Sequence, residues 1–156
     1  MQKKKNHKTA GLTKKTVLSE AAKLVMEVKI FNLLSAINKF FEQETVENLH
    51  SIRIALRRVR YSLETFAICF NKKKYHSFYK KLAKLQDLSG LARDLDVLTD
   101  NMNKLHTELN IKISNRIFGK IEDNKTALKE KLKLELLQFI HGKSLKDFQS
   151  LLSRKN

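Results

Sequence analysis

Apolar residues recur every three or four positions through most of this chain, which is the period of an α-helix with one buried face. Val17, Ala21, Leu24, Val28, Phe31, Leu34, Ile37 and Phe41 predict a first helix over about 16–42. Thr45 is placed to cap a second helix over about 46–70, with Glu47 in its first turn, where a carboxylate suits the helix dipole. The run Asn71, Lys72, Lys73, Lys74 breaks it. A third helix is predicted over about 74–105, with a weak boundary at 106–110. A fourth runs over about 111–140, on Ile113, Ile117, Ile121, Leu128, Leu132, Leu136 and Phe139. Gly142 suits the position after a helix end, and Ser144 with Asp147 has the spacing of a capping box that starts a short terminal helix. There is no alternating strand pattern and no tandem repeat. The expected fold is all-α: an antiparallel up-down four-helix bundle with a short C-terminal helix.

The absence of proline and the presence of only four glycines agree with long unbroken helices. A chain of 156 residues is one domain, expected over 16–152, with a flexible tail at 1–15. No run of 18 apolar residues suggests a membrane span. The basic N-terminal stretch is followed by no apolar core of a signal peptide. Cys69 is the single cysteine, so no internal disulfide forms, and it reads as a small hydrophobe on a helix.

The second helix carries a second pattern. Viewed down its axis from His50, Arg57, Arg53 and Arg60 follow one another within about 80° on one side, and Arg58 lies about 80° away on the other. Ile52, Ala55, Leu56, Val59, Leu63, Phe66 and Phe70 gather on the far side. One face builds a core, and the opposite face is a cationic stripe offset only by Glu64. Solvated helix faces usually alternate charge sign at i,i+4, whereas here like charges adjoin and repel. The choice of arginine in a chain otherwise rich in lysine is also informative, because a guanidinium binds phosphate in a bidentate way. Ile54 and Ile68 fall on or beside the stripe, which suggests contact with another protein surface.

Charge distribution sharpens this. The net charge is +16. Residues 50–93 hold eleven bases against two acids, and residues 1–15 hold six lysines and no acid. A field this concentrated attracts polyanions: nucleic acid, an anionic membrane or polyphosphate.

The stripe and the stretch at 80–98 together resemble the CHAD family, the conserved-histidine α-helical domain. The family pattern H-x-x-R-x-x-x-R-R-x-R reads here as His50, Arg53, Arg57, Arg58 and Arg60. "SGLARDLDVL" matches the second motif, with Ser89 where leucine is usual. The resemblance implies non-catalytic binding of inorganic polyphosphate by His50, Arg53, Arg57, Arg58 and Arg60, joined by Arg93 and by Lys81 and Lys84. It leaves Asp94 and Asp96 either orienting an arginine of the neighbouring helix or simply exposed. CHAD domains usually hold two such repeats across a basic groove. This chain has one, so a homodimer completing the groove is expected.

No cofactor is implied. The five histidines lack metal-ligand spacing, residues 94–100 lack the glycine and glutamate of a calcium loop, and there is no P-loop. Without an activated nucleophile or a metal site, an enzyme is not expected. The alternative is a non-specific nucleic-acid-binding bundle using the same arginines. Against it stand the missing helix-turn-helix spacing and the few aromatic residues near the stripe. A cytoplasmic location, with polyphosphate granules as a site of association, is the corresponding expectation.

Overall fold

The computed structural model describes residues 17–153. The expected tail at 1–15 lies outside the described residues. Five helices follow in order: α1 (Leu18–Glu42), α2 (Val46–Thr65), α3 (Lys72–Glu108), α4 (Asn115–His141) and α5 (Lys143–Ser153), with a single 3₁₀ turn at Ala67–Cys69. Among the described residues there is no strand. The expected all-α bundle is therefore the observed one.

α1 and α2 pack through the faces their periodicity predicts. Met26, Ile30, Leu33, Ile37 and Phe40 of α1 meet Ile52, Leu56, Val59 and Leu63 of α2 in one buried cluster. The turn between them is fastened twice. Thr45 Oγ1 accepts a hydrogen bond from Asn48 N at 3.1 Å, the expected cap. Asn48 is itself buried, and its side-chain amide donates to Gln43 O at 2.8 Å and Lys39 O at 3.5 Å. The Asn48 amide thereby ties the start of α2 to the last carbonyls of α1, of which Lys39 O also accepts from Gln43 N at 3.0 Å and Gln43 O from Thr45 N at 2.9 Å.

α2 ends five residues earlier than expected, at Thr65. The 3₁₀ turn sends Ile68 outward, 87% exposed, and brings Phe70 into the core, 5.0 Å from the Phe148 ring. The lysine run is then the start of α3 rather than the breaker of α2. Asn71 Oδ1 accepts from Lys73 N at 3.1 Å and Lys74 N at 3.2 Å. At the other end of α3, Asn110 takes a left-handed conformation (φ 52°), which asparagine tolerates, and Ser114 caps α4 through Arg116 N at 3.2 Å.

The short terminal helix is a core element. Phe148 of α5 is fully buried and stacks on Phe78 of α3 at 4.3 Å. Leu145 and Leu152 are buried beside it, and α5 packs against α3, α1 and α4. The capping-box expectation is corrected here, because Ser144 lies within α5, whose first turn closes from Lys146 N to Gly142 O at 3.4 Å. Gly142 is extended (φ −77°, ψ 153°), so positive φ does not select it. A Cβ there would lie 2.5 Å from Gln138 O, and that approach requires glycine.

Three ion pairs close the end of the bundle where α1 turns into α2. Glu44 receives Lys129 Nζ and Lys133 Nζ of α4, each at 2.8 Å, and Asp96 of α3 receives Lys125 Nζ at 3.2 Å. The two lysine hydrogen bonds, Lys129 first, hold the Glu44 carboxyl below its ordinary value. A depressed carboxylate pKa gives stability that is present above the unfolded-state value and is lost as pH falls through the folded one. Glu44→Gln should therefore melt below the parent at neutral pH, and the gap should close as the pH is lowered below about 4, the ordinary carboxylate range. Added salt should shrink the neutral-pH gap, because these groups face solvent. Melting curves from pH 7 to pH 3 check this; a gap independent of pH would contradict it.

Candidate functional site

α2 stands between α1 and α3, so its outward face is a ridge with two flanks. His50 and Arg57 are exposed along the crest, while Arg53 and Arg60 are half-buried on the flank toward α3. Arg58 leaves the stripe toward α1, where it lines a groove with Lys29 and Ile54. The sequence-derived phases are the observed ones within α2, whereas Ile68 lies in the 3₁₀ turn beyond it and not on the stripe. Ile52, Leu56, Val59 and Leu63, opposite, are all buried.

Arg60 is the fixed member of the set. Its Nε donates to Glu64 Oε1 at 3.1 Å, and the same oxygen accepts from Tyr79 Oη of α3 at 2.8 Å. Its guanidinium also lies 5.8 Å from the centre of the Tyr61 ring and 5.9 Å from that of Tyr79. Both distances suit cation–π attraction. The hydrogen bond to Glu64, with burial adding to it, raises the Tyr79 hydroxyl above its ordinary pKa, so Tyr79 stays neutral at physiological pH. Few aromatic residues were expected near the stripe, yet two of the three tyrosines fold onto Arg60. Tyr61 was visible at i+1, but Tyr79 arrives only through tertiary packing.

Arg57 lies 5.7 Å from the Tyr61 ring and makes no ion pair among the described residues; nor do Arg53 and Arg58. Three arginines on one helix thus lack a carboxylate partner among the described residues, which leaves their donors available to an external anion.

Helical phase divides the candidates on α3. Tyr79 marks the side that faces α2. At about 100° per residue, Gln86, Gly90 and Arg93 all fall within about 40° of it. Arg93 is half-buried there, and the fourteen residues separating it from Tyr79 carry it about 21 Å along α3, level with the first turns of an antiparallel α2. A Cβ on Gly90 would meet nothing within 4 Å, so there is free space beside α3 at that point. Gln86 Oε1 is buried without a hydrogen-bond partner. Lys81 and Lys84 lie about 140–160° round from Tyr79. Lys84 Nζ is held at 2.6 Å by Glu135 of α4. The structure therefore sets His50, Arg53, Arg57 and Arg60 on one side of α2, with Arg93 in phase with Tyr79 on α3. It sets Arg58 on the opposite flank, ties Lys84 to α4 and leaves Lys81 exposed.

Of the two acids left open, Asp94 is exposed and Asp96 is buried. Asp96 has a structural role, but its partner is Lys125 of α4 rather than an arginine of α2. No cluster of three or more histidine, cysteine, aspartate or glutamate residues able to hold a metal ion occurs among the described residues. No helix among them is long and apolar enough to cross a membrane.

The fold and surface define a helical bundle that displays fixed cations on one helix. The family model of the CHAD domain matches residues 5–154, nearly the whole chain, and the protein belongs to that family. CHAD domains are helical, generally non-catalytic and linked in general to polyphosphate. Neither a curated protein nor a solved structure matches the chain.

Proposed function

We propose that this protein binds inorganic polyphosphate, without chemical conversion, along the α2 ridge and the groove beside it. The observation that carries this reading is the set Arg53, Arg57 and Arg58, without an ion pair among the described residues, on one helix whose other face is core. Arg57 and His50 would meet the anion at the crest. Arg53 and Arg60 would hold it from the α3 flank, and Arg93 would extend the contact along α3. Arg60, already positioned by Glu64 and Tyr79, presents its remaining N–H groups with little further loss of side-chain freedom. Lys84 contributes less, because Glu135 already neutralises it. Lys81 belongs to the outer field.

Titration with long-chain polyphosphate at increasing salt tests the reading. Saturable binding is expected, with log affinity falling linearly against log salt as cations exchange for released counterions. No binding at physiological salt would overturn it. Nucleic acid would meet the same arginines, and it is the alternative that a competition experiment separates.

We further infer that two copies associate and that the second supplies an opposing wall for the polymer. Ile68, 87% exposed at the end of the ridge, supports an apolar contact there. Repulsion between two chains of net charge +16 opposes it. A shared polyanion cancels that repulsion, so sedimentation should show more dimer with polyphosphate than without. A monomer in both conditions at tens of micromolar protein would refute the association. Such a protein would collect on cytoplasmic polyphosphate granules where these form.

A further inference from the structure

The flank of α2 away from α3 also holds a groove. It lies between α1 and α2, has a volume of about 340 Å³, and is bordered by Lys29, Asn32, Ser51 and Arg58, with Ala36, Ala55 and Ile54 as its apolar lining. Lys29 is half-buried, and neither it nor Arg58 pairs with a carboxylate among the described residues. Ser51 Oγ donates to Glu47 O at 3.0 Å, so the donors left to a ligand are the Lys29 ammonium, the Arg58 guanidinium and the Asn32 amide. Two unpaired cations and an amide around a concavity with small alanine side chains in its lining match a tetrahedral oxyanion. An apolar ligand would leave both charges unanswered. Stiff duplex DNA, by contrast, would reach only the rim.

On the helix, Arg60 and Arg58 project about 160° apart, with Arg57 between them. Phosphate held on both flanks must therefore cross the crest over Arg57 and His50. We propose that the Lys29–Asn32–Arg58 groove is a second phosphate subsite, and that one polyphosphate chain wraps over α2 from the α3 flank into it. This inference rests on the polyphosphate reading and adds a consequence that reading lacks. An α-helix with its side chains is about 10–12 Å across, so a short oligophosphate occupies one flank while a long chain occupies both. The groove then makes binding depend on chain length, because the second contact forms within an already bound molecule.

The test compares tripolyphosphate and long-chain polyphosphate on the full chain and four variants: Lys29→Gln, Lys29→Arg, Arg57→Ala and Lys120→Gln. Lys120 is exposed on α4 and serves as the control for loss of one charge. Lys29→Gln should weaken the long chain by about tenfold or more, the scale of one charged hydrogen bond. It should also lower the salt slope by about one, and it should narrow the advantage of the long chain over tripolyphosphate. Lys29→Arg should retain that advantage. Lys120→Gln should change affinity by less than about twofold, as expected for a screened, distant charge. If Lys29→Gln binds the long chain as the parent does while Arg57→Ala is weakened, the second subsite is overturned and the ridge stands. An equal loss in Lys29→Gln and Lys120→Gln also overturns it, since the effect is then general charge. If the parent binds neither polymer, the polyphosphate reading itself fails.

Discussion

Val59→Asp leaves the protein unfolded at room temperature. Val59 is fully buried on the core face of α2, with Ile52, Leu56 and Leu63 on the same face. No cation can pair with a carboxylate there, because the arginines of this helix point the other way. The aspartate would have to be protonated, which at pH 7 costs about 4 kcal/mol for a group that ordinarily titrates near 4. Loss of the buried valine side chain adds about 1.5 kcal/mol or more, and the polar group left without partners adds a further penalty. The total reaches the ~5–15 kcal/mol by which domains are stable. The helical circular-dichroism signal at pH 7 should collapse. A cooperative melt within a few degrees of the parent would show that position 59 does not face the core.

Arg57→Ala, only two residues away, should do the reverse: keep the fold and lose the ligand. Two small effects on stability oppose each other. Removing a like charge beside Arg53 and Arg60 relieves a few tenths of a kcal/mol. Losing the contact with the Tyr61 ring, 5.7 Å away, costs ~0.5–1 kcal/mol for an exposed pair. The melting temperature should stay within a few degrees of the parent. Polyphosphate affinity should fall by roughly 1.5–3 kcal/mol, the range for charged hydrogen bonds, and the slope of log affinity against log salt by about one. Arg60→Ala is a poorer probe, since it also frees Glu64 and disturbs Tyr79. Unchanged affinity of Arg57→Ala across a salt titration would remove the crest from the site.

These two neighbours show what the sequence makes legible. Periodicity gives the phase of each residue on its own helix, so the opposition of Val59 to Arg57 was readable, as was the split of Arg58 from the stripe. Phase does not say which helix stands beside which. The burial of Phe148 in the core and the turn that brings in Phe70 depend on three helices meeting. A short C-terminal segment gives no local sign of that. Lys84 illustrates the same limit for the site. On the sequence it is a base beside the second motif, but Glu135 claims it from α4. Asp96 is claimed by Lys125 in the same way. Asn48, whose side chain secures the first turn, looks like any polar residue near a helix start. The Lys29–Arg58 groove joins residues 29 positions apart, with nothing in either segment to link them.

We propose that the ridge binds a flexible thread of phosphates rather than nucleic acid. A competition between long-chain polyphosphate and duplex DNA at physiological salt tests it most directly. DNA is stiff over ~150 base pairs and meets the ridge only along a line of tangency. Polyphosphate, in the proposed mode, would bend over α2 and into the groove beside Arg58. Polyphosphate should win by at least about tenfold, 1.4 kcal/mol. Equal affinity for the two polymers would contradict the account and leave a general polyanion-binding bundle in its place.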